Sequence, residues 1–278
     1  MAGEFPIVFA LYPRITQLDF TGPLEVLARL PGAAIVLAAV RGGELAVDSG
    51  ITFANVRPLA EVQECALLCV PGGFGTAAAM EDPLYLEALR RLGSRARYIT
   101  SVCTGSLLLG AAGLLRGKRA ACHWAFRELL PLFGAVADSR RVVRDGNLFT
   151  GGGVTAGIDM ALTVVAEIAG RDLAEAVQLA IEYAPDPPFD SGRPEAARAQ
   201  IVAAVRGRCA APRGLIRCRA HEVARRCARY RRSPAAIPGV VLRGRCSRGR
   251  ASEARGCDPA GGQRTARRTQ PATRGRGA

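Results

Sequence analysis

The chain has 278 residues, about half of them hydrophobic, which is enough for a sizeable core in one large or two small domains. Its formal charge of +14 looks like the mark of a nucleic-acid binder. Yet residues 207–278 hold 19 arginines against three acids, a local +16, and subtracting this leaves residues 1–206 at −2.

Ile7–Tyr12 reads as a first strand, followed by a helix over Asp19–Leu30 that tolerates Pro23 only in its opening turn. Further strands are expected at Ala33–Val40, Cys65–Val70 and Tyr98–Val102. Glu44–Phe53 reads as a hairpin turned by Asp48–Gly50, and Arg141–Thr150 as another turned by Asp145–Asn147. The Gly151–Gly153 loop then leads into a helix over Thr155–Ala169. A second helix over Asp172–Tyr183 has Asp172 as its expected N-cap. Continuous apolarity in the strands means cover on both faces. Alternation with helices then predicts a doubly wound, flavodoxin-like α/β fold with a mostly parallel sheet.

Beyond Arg206 the chain is Arg, Ala, Gly and Pro without a lysine, and residues 207–278 are expected to be a disordered tail. A catalytic domain over residues 1–206 should fold without it. Either the arginines make non-specific nucleic-acid contact, or the tail is a high-GC sequence read out of frame; the near absence of aromatic residues favours the second. Cys209, Cys218 and Cys227 recur every nine residues, a turn of about 900° on a helix that puts successive thiols on opposite faces and argues against a metal site. Cys65 and Cys69, about 13 Å apart along one strand, do not share a ligand sphere either. No apolar run reaches the roughly 18–20 residues of a membrane span, and no signal peptide is recognised. A cytoplasmic location with reduced thiols is expected.

Cys103 carries most of the chemistry, because it stands where the strand Tyr98–Val102 meets an Ala/Leu-rich helix with no linker between them. Such an elbow lifts one side chain above the sheet edge. The helix N-terminus there is expected to lower the thiol pKa and make a nucleophile. Three other strand ends supply partners. Asp19 offers a carboxyl for proton transfer, although taken alone it reads as a helix cap. Gly72 and Gly73 follow the third strand, where the Gly73 N–H and the Thr104 N–H are expected to form an oxyanion-type hole, and the Thr104 hydroxyl lies beside the thiol. The Gly151–Gly153 loop lacks a phosphate-binding spacing and reads as a pocket wall. His123, beside the sole tryptophan Trp124, reads as structural.

Leu18–Val26, Val70–Gly73, Val102–Gly105, Gly110–Leu115, Cys122–Trp124, Gly152–Asp159 and Tyr183 with Pro187–Gly192 together resemble the ThiJ/PfpI superfamily of the glutamine amidotransferase-like fold. The order and spacing are most similar to its isonitrile hydratase branch, over nearly all of residues 5–206. The resemblance implies Cys103 as nucleophile, Asp19 as acid/base and Thr104 as a supporting residue, in the cofactor-independent and metal-free hydration of isonitriles to N-substituted formamides. A small-molecule substrate and a homodimer are the expected partners, with no membrane. Two alternatives stay open: a glyoxalase or deglycase acting on small aldehydes, and the sensing domain of an AraC-type regulator. The regulator would have to lack its helix-turn-helix, since residues 207–278 show neither two helical periods nor a spaced turn.

Overall fold

A computed structural model describes the backbone of residues 3–232 and the side chains of residues 3–226. Its strands are β1 (Phe5–Ala10), β2 (Ala33–Ala39), β3 (Gly43–Ala46), β4 (Thr52–Pro58), β5 (Leu67–Val70), β6 (Tyr98–Val102), β7 (Arg119–Ala120), β8 (Val136–Ala137), β9 (Val142–Asp145) and β10 (Leu148–Gly151). The helices are α1 (Gln17–Leu27), α2 (Thr76–Glu81), α3 (Pro83–Gly93), α4 (Gly105–Ala111), α5 (Ala156–Ala169), α6 (Arg171–Ala180), α7 (Ala199–Arg208) and α8 (Ala210–Arg232), with a 3-10 helix over Arg127–Phe133.

Eight strands form one sheet in the order β3-β4-β2-β1-β5-β6-β10-β9. The pairs from β4 through β10 are parallel, and an antiparallel strand closes each edge. β7 and β8 make a separate two-stranded ribbon. Every residue of β5, β6 and β10 is buried, as continuous apolarity demands of strands covered on both faces. Helices α1, α5 and α6 pack together, and α2, α3 and α4 form a second group. The doubly wound reading therefore holds. Chain order reverses at β1 and β5, so the carboxyl ends of β1, β5 and β6 meet around a topological switch point, where α/β sheets place their ligand sites.

Several sequence expectations need correction. Pro23 lies well inside α1 rather than in its first turn; having no N–H, it leaves the carbonyl four residues back, that of Asp19, without a helical donor. Thr16, not Asp19, is the N-cap position of α1. Asp172 sits within the first turn of α6, whose flanking residue is Gly170 at φ 91°. The largest departure is at residues 207–232, where α8 replaces the expected disorder. Ile216, Ala220 and Val223, spaced i, i+4, i+7, form one buried stripe against α2, α4 and the 3-10 helix. Arg213 pairs with Glu128, and Arg219 with Glu81 at 2.6 Å, so part of the positive charge fixes the helix to the body. Of the two successive helices here, α7 begins before the expected boundary and α8 lies where no helical period was expected. The rest of the expected tail, from residue 233, lies outside the described residues. No helix among the described residues is long and apolar enough to cross a membrane.

Candidate active site

The elbow is present in the backbone itself. Cys103 adopts φ 59°, a conformation that costs a non-glycine residue about 1–3 kcal/mol, between the end of β6 and Thr104, the N-cap position of α4. Four hydrogen bonds hold it there. The Cys103 N–H donates to the carbonyls of Gly151 (3.1 Å) and Gly152 (2.7 Å) at the end of β10. The Ser101 and Ser106 hydroxyls meet across the turn at 2.8 Å, and Ser106 donates to the Ala121 carbonyl at 2.6 Å. Gly105 follows because a Cβ there would overlap the Val70 and Pro71 carbonyls.

Asp19 projects from the first turn of α1 into the same space and is wholly buried. Its Oδ2 accepts the Gly72 N–H at 2.9 Å, whereas Oδ1 is buried with no hydrogen-bond partner. Burial pushes this carboxyl up to about 7, against the opposing Gly72 N–H and the neighbouring Cys103 thiol. Gly72 permits the approach, since a Cβ on it would lie 2.7 Å from Thr104 Oγ1 and 2.8 Å from Asp19 Oδ2.

The thiol does not behave as the helix dipole alone predicts. Burial, then the charge of Asp19, then Cys122 push Cys103 well above the ordinary thiol range, and only the Thr104 N–H opposes them. At seven residues α4 is short, and Cys103 is 7 % exposed, so desolvation outweighs the dipole. Two acidic groups in one dry site cannot both ionise: above about 7 the single negative charge forms on Asp19 and the Cys103 thiol keeps its proton, and below it both are neutral.

The expected oxyanion hole is also absent in the proposed form. The Gly73 N–H donates to Thr104 Oγ1 at 3.0 Å and so is not free, while the Thr104 N–H lies toward the Cys103 sulfur. Thr104 Oγ1 further meets Thr76 Oγ1 at 2.7 Å, which places that hydroxyl in the packing behind the loop. Gly72 and Gly73 thus serve Asp19 and Thr104. Tyr12 and Thr76 complete this network and were not singled out from sequence, although both flank strand ends, the positions that fold topology marks.

A cavity of about 260 Å³ adjoins the elbow, lined by Cys122, His123, Arg127, Gly152 and Gly153 among others. The glycine loop is thus a pocket wall and also the acceptor for the elbow N–H. His123 stacks on Trp124 and its Nδ1 accepts the Ala125 N–H at 3.3 Å, a structural setting in which burial lowers its pKa. A larger cavity of about 460 Å³ lies across Tyr12, between the ends of β1 and β2, and reaches none of Asp19, Cys103 or Thr104.

Known proteins of similar sequence and fold exist. The chain is 51% identical over 207 residues to isonitrile hydratase of Pseudomonas putida, covering 73% of this chain and 90% of that protein. It is 31% identical over 176 residues to the HTH-type transcriptional regulator CdhR of Pseudomonas aeruginosa, covering 60% of this chain and about half (51%) of the regulator. A crystal structure of a ThiJ/PfpI family protein from Pseudomonas syringae superposes with a TM-score of 0.75 at 40% identity, over 80% of this chain and 91% of that one. The model of the DJ-1/PfpI family matches residues 6–167, from β1 into α5, and with it every element that carries the site: the chain belongs to the DJ-1/PfpI family.

Proposed function

We propose that the protein hydrates isonitriles to N-substituted formamides, with Cys103 as nucleophile and Asp19 as the carrier of one proton. The observation that carries this reading is the buried Asp19 carboxyl, anchored through Oδ2 with Oδ1 left over, beside the Cys103 thiol in one buried site. The 51% identity to an isonitrile hydratase over 90% of its length supports the substrate class.

The steps follow from the shared proton. As Sγ attacks the terminal carbon of R–N≡C, the Asp19 carboxylate takes the thiol proton and delivers it to that same carbon, giving the thioimidate R–N=CH–S–Cys103. Water then adds across the C=N bond, its hydroxyl to carbon and its proton to nitrogen. Collapse breaks the C–S bond, the sulfur leaves with the hydroxyl proton, and R–NH–CHO departs. A carboxyl that titrates near 7 exchanges a proton in both directions at small cost, which suits a group that must accept and then donate.

The test is a panel of alkyl and aryl isonitriles, with the formamide followed by NMR and methylglyoxal run in parallel. Formamide release that disappears in Cys103→Ala is expected. Turnover of methylglyoxal with every isonitrile inert would replace this reading by the glyoxalase or deglycase one.

A further inference from the structure

Three buried hydroxyls stand behind the Cys103–Asp19 pair and take no part in the steps above. They come from three strand ends: Tyr12 just past β1, Thr76 at the first position of α2, and Thr104 in the elbow after β6. Tyr12 Oη donates to the Pro71 carbonyl at 3.0 Å and meets Thr76 Oγ1 at 3.1 Å. Thr76 Oγ1 donates to the Gly73 carbonyl at 2.7 Å and meets Thr104 Oγ1 at 2.7 Å, which accepts the Gly73 N–H. The Gly72 carbonyl accepts the Thr16 N–H at 3.0 Å. Around the loop Pro71–Gly73 every backbone polar group is therefore engaged, and the N–H of Gly72 is the one that reaches Asp19.

We propose that Thr76 and Tyr12 are positioning residues, whose hydroxyl chain clamps the loop Pro71–Gly73 so that the Gly72 N–H stays on Asp19 Oδ2. The proposal rests on Asp19 being the proton carrier. Bland packing would be met more cheaply by apolar side chains, since each buried hydroxyl must find partners or cost about 1–3 kcal/mol. Here all three partners lie on one loop. The titratable groups that face Asp19 are Asp48 of the β3–β4 hairpin, Tyr12, Cys69 on β5, Cys103 and Cys122, and none of these is a cation. Among the groups acting on Asp19, the Gly72 N–H does most to favour its carboxylate. A loop that drifts removes that donor, and the carboxyl then holds its proton to higher pH.

The experiment follows the Asp19 carboxyl by carbon-13 NMR across pH in the full chain, a readout that needs no substrate. Wild type should titrate near 7. Thr76→Val should move the midpoint up by about one pH unit, the worth of one hydrogen bond to a charged acceptor. Thr76→Ser should restore it. Tyr12→Phe, which keeps the ring and removes the hydroxyl, should move it in the same direction and decides the matter should Thr76→Val not fold. An unchanged midpoint in the folded variants would overturn the clamp. Inert isonitriles together with a shifted midpoint would instead leave the clamp standing and remove the hydration reading.

Discussion

The Gly72 N–H and the Asp19 carboxylate meet at 2.9 Å inside the protein, and among the described residues this hydrogen bond alone fixes the carboxyl. Asp19 is thus held by one oxygen and left reactive at the other. Activity should accordingly follow its protonation state. The rate must rise with pH through about 7, because below that point the carboxyl already carries a proton and cannot take the one on Cys103. Asp19→Asn should lose about 10²–10⁴ in kcat/KM and abolish this limb, while Cys103 stays open to alkylation. A variant with the wild-type profile would reduce Asp19 to a structural residue.

Stability should show the opposite dependence. The folded carboxyl titrates near 7 against an ordinary 3.8, so the folded state keeps a proton that the unfolded chain has released. Wild-type stability therefore falls as pH climbs from about 4 to about 7 and is level above. Asp19→Asn should remove that slope and be more stable at pH 8 by on the order of 2–4 kcal/mol, with the gap closing at about pH 4. Melting curves across pH, parallel for the two proteins, would show that Asp19 is not held neutral.

Cys103→Ala should end turnover and leave the melting temperature within a few degrees, because alanine meets the same backbone strain and the change removes a single buried sulfur atom. Residual activity within tenfold of wild type would dismiss the nucleophile.

Helix α8 changes what truncation should do. Removing residues after Arg208 uncovers the faces of α2 and α4 on which Ile216, Ala220 and Val223 lie, so the shortened protein should melt lower. The point variant Ile216→Ala, about 2–4 kcal/mol less stable, isolates the same contact. Equal melting of all three proteins would return α8 to the status of an appendage.

Much of this was legible in the sequence, and the failures have a common cause. Tyr98–Val102 matches β6 residue for residue, and Asp145–Asn147 turns the predicted hairpin, because period and turn chemistry are local properties. The encounter of Asp19 with Cys103, 84 positions apart, was legible only through the topology that gathers strand ends and through family resemblance. What escaped was set by surroundings. The thiol pKa was read from a helix terminus, yet burial and a neighbouring carboxyl decide it. The Gly73 N–H was assigned to substrate because glycine loops often face ligands, but a threonine hydroxyl 31 positions away had already claimed it. The apolar stripe of α8 was hidden by composition: three small or medium side chains among arginines carry little average hydropathy and still suffice to dock a helix.

The glycine that closes the elbow bears on how tolerance to substitution should be interpreted. Gly105 has no side chain to offer a substrate, yet any Cβ at that position runs into the carbonyls of Val70 and Pro71, the strand end that leads to Gly72. In a saturation scan Gly105 would therefore score with Cys103 as irreplaceable, for steric reasons alone. Ranking positions by loss of activity would count it as chemistry. Only a scan that reads folded abundance beside turnover separates the two, since Cys103 should fail in turnover alone and Gly105 in both.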